Sequence, residues 1–267
     1  MFRSLVLLHI LGLAWLVLGD QRIINGNTVN IKDAPWYASI LVRSYLKCGG
    51  VLVSNNYILT AAKCVDGYNV KNIKVRIGTN SCRSGGSQLG ICSVKIHSQY
   101  SSLRFDNNLA LLKTCELLKA SDEIKPIERI DKLPADNSQA KITGCGARSG
   151  SWFDVLQEKR SFGIFDGINN LLANLPAELH GTEVKILGQK QCAADWTFPF
   201  LLHDGISELT ICTKSSGTGA CSFDMGAPLV VDNKLVGILS RAGCTIKPDV
   251  FSNILKHANW LDSNIKQ

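Results

Sequence analysis

The sequence predicts an all-β protein. Runs of four to ten residues rich in Val and Ile recur along the chain, turn-forming residues separate them, and good helical spacing is confined to the C-terminal end. Such a pattern reads as a barrel or a sandwich. A polar link at 131–139 divides the strand-like runs into two blocks.

In chain order, residues 1–19 read MFRSLVLLHILGLAWLVLG, with one early charge at Arg3 and an apolar stretch to Leu18. Small residues at Val17 and Gly19 suit signal peptidase, so a secretory leader of 1–19 is expected, the alternative being an uncleaved anchor. The strand-like runs follow at 36–42, 51–60, 73–77, 109–112, 141–143, 184–187, 228–231 and 235–239. The helical pattern covers 251–265, with Ile254, Ala258, Leu261 and Ile265 on one face, extended by Trp260. No second stretch matches the leader in hydrophobicity, so no membrane association is expected once it is removed.

The chain has 267 residues, 45% hydrophobic and 19% charged, which excludes disorder and collagen-like structure. The formal charge is +7, but the 29 basic residues are scattered. That reads as a solvated surface and not as a nucleic-acid groove. Ten cysteines point to an oxidising compartment and a secreted, extracellular protein.

Four stretches together resemble the chymotrypsin/trypsin-like serine proteases. They are RIING at 22–26, LTAAKC at 59–64, NLALLK at 108–113 and CSFDMGAPLV at 221–231; CGG at 48–50 and NWL at 259–261 add support. The resemblance runs from about Ile23 to the C-terminus. It implies two six-stranded antiparallel β-barrels (about 23–130 and 131–267), a cleft between them, and a C-terminal α-helix packed on the second. It also implies a short propeptide, 20–22, cut between Arg22 and Ile23.

Acyl transfer in that family needs a hydroxyl nucleophile, an imidazole base and an orienting carboxylate. The matching positions hold Met225, Lys63 and Asn108. A thioether has no proton to give up, a lysine ammonium protonated at neutral pH is no base, and an amide carries no charge for an imidazolium. Asp106 lies two residues before Asn108, a displacement of roughly 6.5–7 Å along a strand, too far for the ordinary role. A dyad of Lys63 with Ser222 or Ser240 is the other rescue, and Ser222 sits on a tight loop that should aim it elsewhere. The oxyanion-hole glycine is replaced by Phe223, which should turn the peptide or fill the cleft. A second glycine has become Ala227.

The activation machinery is retained. By resemblance, the amino group of Ile23 would pair with Asp224 after cleavage; the plainer alternative is that Asp224 only caps its loop. The specificity pocket is rebuilt as Gly219, Ser240, Arg241, Ala242 and Asp249. Asp249 would attract a basic ligand or pair with a basic residue such as Arg241. Family pairing implies disulfides Cys48–Cys64, Cys192–Cys212 and Cys221–Cys244. Cys82 and Cys92 bracket a Gly/Ser-rich loop and are expected to pair, leaving Cys115–Cys145. Zinc is the competing use of those four, but the spacings are not ligand-like, so no metal and no cofactor are expected. A segment at about 149–174, with Trp152, Phe153, Phe162 and Phe165, looks longer than in common relatives; it either recognises a partner or packs on its own barrel.

Together these residues point to a secreted, non-catalytic serine protease homologue of arthropod type. Such homologues act as cofactors, decoys or regulators of extracellular proteolysis, and the expected partners are proteases, protease zymogens or their inhibitors. The alternatives are residual endopeptidase activity through a rebuilt site, or a purely structural or carrier role.

Overall fold

A computed structural model of the chain describes residue 23 and residues 26–146, 177–197, 206–214, 217–221 and 223–265. The leader 1–19, the propeptide 20–22 and the segment 149–174 lie outside the described residues.

Six strands close the first barrel in the order β2-β3-β4-β7-β6-β5. They are β2 (Tyr37–Val42), β3 (Tyr45–Ser54), β4 (Tyr57–Thr60), β5 (Ile73–Ile77), β6 (Ser87–Ile96) and β7 (Ala110–Thr114). Every residue of β2 is buried, as its apolar run predicts. The run at 51–60 is two strands, because the chain turns at Asn55 and Asn56 and Ser54 pairs with Tyr57. Sequence reasoning misses β6 because most of its residues are exposed and polar, and only scattered positions face inward.

The second barrel closes through β9 (Gln139–Gly144), β10 (His180–Leu187), β11 (Thr210–Thr213), β14 (Asp249–Asn253), β13 (Lys234–Arg241) and β12 (Pro228–Val231), with β12 and β10 both paired to β9. Two short strands, β1 (Asn27–Thr28) and β8 (Glu128–Arg129), add to β10 and β13. The β12–β13 hairpin turns on Asp232 and Asn233, whose φ values are 49° and 58°. A two-residue hairpin needs positive φ at both centres, and Asp and Asn tolerate it. Ile23, fully buried, belongs to this barrel's core with Ile142, Ala220, Ala227 and Phe251.

Among the described residues there are two α-helices, α1 (Gln189–Asp195) and α2 (Ala258–Asn264). The helical pattern at 251–265 overreaches: its first residues extend β14, where Phe251 pairs with Ile211 and Leu239. Nor does α2 rest on the second barrel alone. Leu261 joins the core cluster of the first barrel, Trp260 lies 5.0 Å from the His97 ring, and Asp262 meets Arg129 at 2.5 Å.

All ten cysteines are paired. Cys48–Cys64, Cys192–Cys212 and Cys221–Cys244 form as the resemblance implies. The expected Cys82–Cys92 and Cys115–Cys145 pairs do not form; the bonds are Cys82–Cys145 and Cys92–Cys115. Local geometry explains both. Cys92 sits in a β-bulge, with Ile91 and Ser93 pairing around it to Thr114 and Lys113, and Cys115 follows at once. The Cys115 amide bonds to Gly90, bringing the two Cα atoms to 4.9 Å. Cys82 is drawn away because its loop pairs with the strand leading into β10: Ser81 bridges Glu178, and the Cys82 amide donates to Ala177 at 3.0 Å. That lead-in strand continues alongside β9, whose end delivers Cys145.

Non-reducing peptide mapping should recover the Cys82–Cys145 and Cys92–Cys115 cross-links. Closing the 63-residue span is worth about 4 kcal/mol in denatured-chain entropy. Replacing Cys82 and Cys145 together by Ala should therefore lower the melting temperature by on the order of 10 °C. An unchanged melting temperature would show that the barrels do not depend on this tie.

Candidate functional site

The cleft is built where β4 and β7 of the first barrel meet the loop after Cys221 and the end of β13. β4 ends at Thr60, and a 3-10 turn, Ala62–Cys64, is pinned to β3 by Cys48–Cys64. That turn exposes Lys63 while aiming its backbone amide inward, where it donates to Asn108 Oδ1 at 2.9 Å. Asn108, buried just before β7, donates from Nδ2 to Ser240 Oγ at 3.1 Å and to the Ser240 carbonyl at 3.3 Å. Ser240 Oγ in turn donates to the Phe105 carbonyl at 2.8 Å. A carboxylate can accept but not donate, so this chain of bonds is specific to an amide at position 108.

Met225 is half-buried and leans on the first-barrel core. Its carbonyl accepts from the Gly49 amide at 2.8 Å, and Gly226 follows at φ 81°. Thus Lys63 and Asn108 are brought into hydrogen-bond contact and Met225 is placed beside the Gly49 strand. Asp106 points elsewhere: it accepts from Ser207 Oγ at 2.9 Å, and burial raises its carboxyl above the usual range. Ser240 has both its donor and an acceptor position committed. Ser222 and Arg22 lie outside the described residues.

Phe223, at the position that the resemblance assigns to a glycine, has a left-handed backbone at φ 70°. For a non-glycine residue this costs about 1–2 kcal/mol. Its ring packs on a separate cluster with Tyr37, Leu41 and Cys145.

Asp224 is fully buried. Gly146 donates to Oδ1 at 2.7 Å and Cys221 to Oδ2 at 3.0 Å. A Cβ at Gly144 or Gly146 would run into this carboxylate. Burial pushes its pKa up to about 7; the two amides oppose that rise, and the neighbouring Asp249 adds to it.

Asp249 repeats the arrangement. Ala220 donates to Oδ2 at 2.9 Å and Gly243 to Oδ1 at 2.7 Å, so the carboxylate ties these two segments together. A Cβ at Gly219 would meet Oδ2 at 2.8 Å. Burial pushes its pKa up to about 7 as well, against the pull of the two amides. Both oxygens are thus committed to main-chain donors, and Asp249 does not pair with Arg241. The Arg241 guanidinium instead stacks on the rings of Phe105 and Trp196, at 5.1 and 5.0 Å, while Ala242 is partly buried next to it. Sequence reasoning missed this stack and also His257, which bridges the Asn253 carbonyl at 2.7 Å and Asn107 Oδ1 at 3.1 Å. Nothing in the local patterns around Phe105, Trp196 or His257 marks them, since all their partners but Asn253 are distant in sequence.

Two carboxyl groups with folded pKa values above the ordinary 3.9 or so make folding favour the protonated form. Their contribution is complete below about pH 4 and is lost as pH rises through about 7. The uncut protein should therefore melt at a lower temperature at pH 7.5 than at pH 4.5. Asp249→Asn should be less stable throughout, because an amide nitrogen cannot accept from Gly243 or Ala220. Its melting temperature should nevertheless vary less with pH than the wild type's; parallel curves would refute the assignment.

A family model described as Trypsin matches residues 23–164 and 165–261. Hypodermin-B of Hypoderma lineatum is 30% identical over 250 residues, covering 92% of this chain and 89% of its own length. Trypsin delta of Drosophila melanogaster is 30% identical over 249 residues, covering 92% and 89%. Among solved structures, neuropsin, a serine protease expressed in the limbic system of mouse brain, superposes with a TM-score of 0.73 at 25% identity, over 90% of this chain and 99% of that one. The scabies mite inactivated protease paralogue S-D1 gives a TM-score of 0.76 at 21% identity, over 90% and 96%, a likeness of fold.

Proposed function

The chain belongs to the trypsin family, and from that premise we propose that it is a secreted member that does not hydrolyse peptides and acts by binding, as a cofactor, decoy or regulator of extracellular proteolysis. The observation that carries this reading is Asn108. Its amide accepts from Lys63 and donates to Ser240, an arrangement that supplies neither base nor counter-charge where the family's chemistry needs both. Met225 offers no transferable proton, and both oxygens of Asp249, at a position that the resemblance assigns to the specificity pocket, are taken up by backbone amides. Five disulfides suit an extracellular setting. One solved neighbour in fold is itself described as an inactivated protease paralogue.

The partners we infer are proteases, protease zymogens or their inhibitors, because the cleft retains the activation apparatus. Ile23 already lies in the second-barrel core with Ala220 and Ala227, on the side of the loop that carries Asp224. Cutting after Arg22 would give Ile23 an ammonium to pair with that carboxylate, so binding would be tied to processing.

Trypsin-processed protein should neither react with a fluorophosphonate probe nor release fluorophore from arginyl or aromatic amides. Stoichiometric labelling of any serine would overturn the reading. Reverting Lys63→His, Asn108→Asp and Met225→Ser should restore at most slow labelling. Amide hydrolysis should stay below that of an ordinary trypsin until Asp249→Gly also frees the pocket position.

Processing makes a separate prediction. An ammonium beside Asp224 lowers its folded pKa, so the added stability is present at high pH and lost as pH falls through that lowered value. The melting temperature of cut protein should exceed that of uncut protein by more at pH 8 than at pH 5. Asp224→Asn should remove the difference, and identical curves for cut and uncut wild type would eliminate the switch.

A further inference from the structure

Two cations share one indole beside the cleft. The Arg241 guanidinium lies 5.0 Å from the Trp196 ring centre and 5.1 Å from that of Phe105, and Lys247 Nζ lies 4.7 Å from Trp196. The platform is fixed. The two rings meet edge to face at 5.4 Å, Trp196 Nε1 donates to the Pro248 carbonyl at 3.1 Å, and the Phe105 carbonyl accepts from Ser240.

Arg241 forms no ion pair among the described residues, and its buried Nε has no hydrogen-bond partner among them. Among the described residues, Asp249 is engaged by two backbone amides and Asp106 by Ser207. A guanidinium held against aromatic rings loses little further freedom on binding a planar anion. The loops that bring Phe105 and Lys247 here each carry an exposed aliphatic side chain, Leu103 at 90% and Ile246 at 72% exposure.

We propose that Arg241, on the Trp196–Phe105 platform, is a binding site for a carboxylate side chain of an acidic partner segment flanked by aliphatic residues. The inference rests on the reading that this chain works by binding, and it assigns the partner's chemistry at the cleft: acidic, where relatives named trypsins would suggest basic. Carboxylate and guanidinium match in geometry, and the aliphatic rims match the flanking residues.

The test is fluorescence anisotropy with a labelled Leu-Glu-Glu-Leu-Glu peptide and its Leu-Gln-Gln-Leu-Gln counterpart, using trypsin-processed full-length protein at low salt. The acidic peptide should bind at least roughly tenfold more tightly than the amide peptide. Arg241→Gln should weaken it by a similar factor, Arg241→Lys by less, and added salt should weaken wild-type binding progressively. Equal affinity for both peptides, unchanged affinity in Arg241→Gln, or no binding of the acidic peptide overturns the proposal. Mass spectrometry of the recovered peptide separates the two readings. A cleaved peptide would sink the non-catalytic function while leaving the anion site to be judged by the Arg241 variants.

Discussion

A carboxylate sealed from solvent governs the shape of the cleft. Asp224 ties the loop after Cys221 to the end of β9 through two main-chain amides, and only glycine fits on either side of it at positions 144 and 146. Phe223 is consequently held at positive φ, Met225 is presented to Gly49, and Ala227 enters the same core as Ile23. Asp249 performs the same office a short distance away, joining the 219–221 wall to Gly243. The second barrel thus organises its working face around two acids that contact backbone rather than counter-ions. Each is electrostatically demanding, and together they make the face sensitive to any cation brought near.

The residues at the positions that the resemblance assigns to catalysis are tied together by hydrogen bonds. Asn108 completes a relay from the Lys63 amide to Ser240 and on to Phe105, crossing from one barrel to the other. Buried polar groups that are satisfied in this way hold a structure in one arrangement, whereas a single unsatisfied member would cost about 1–3 kcal/mol. The substitutions therefore read as a refitted interface between barrels, with Arg241 supplying its charged outer edge.

Much of this was legible in the sequence. Apolar runs such as those at β2, β5 and β12 alternate or bury as strands must, and the Asp232–Asn233 pair marks a hairpin by its own chemistry. What escaped depends on contacts between residues far apart in the chain. β6 is too polar to announce itself, and β14 carries helical spacing but is captured by β11 and β13. The pairing of four cysteines was missed because a one-residue bulge at Cys92 and a bridge from Ser81 to Glu178 decide it. The positions of Lys63, Asn108 and Met225 could be named from motifs, but Asp249 turning to the backbone, and Arg241 to aromatic rings, required the tertiary arrangement.

Four of the five disulfides lie within one barrel or the other, and only Cys82–Cys145 joins them. Its position gives the molecule a particular topology as a covalent object. A nick anywhere in the polar link between Cys115 and Cys145 would yield two polypeptides that remain a single molecule until reduced. By contrast, no cysteine precedes Cys48, so a peptide released ahead of Ile23 has no tether and diffuses away. In a fluid rich in endopeptidases, one kind of scission is thereby made structurally silent while the other is irreversible.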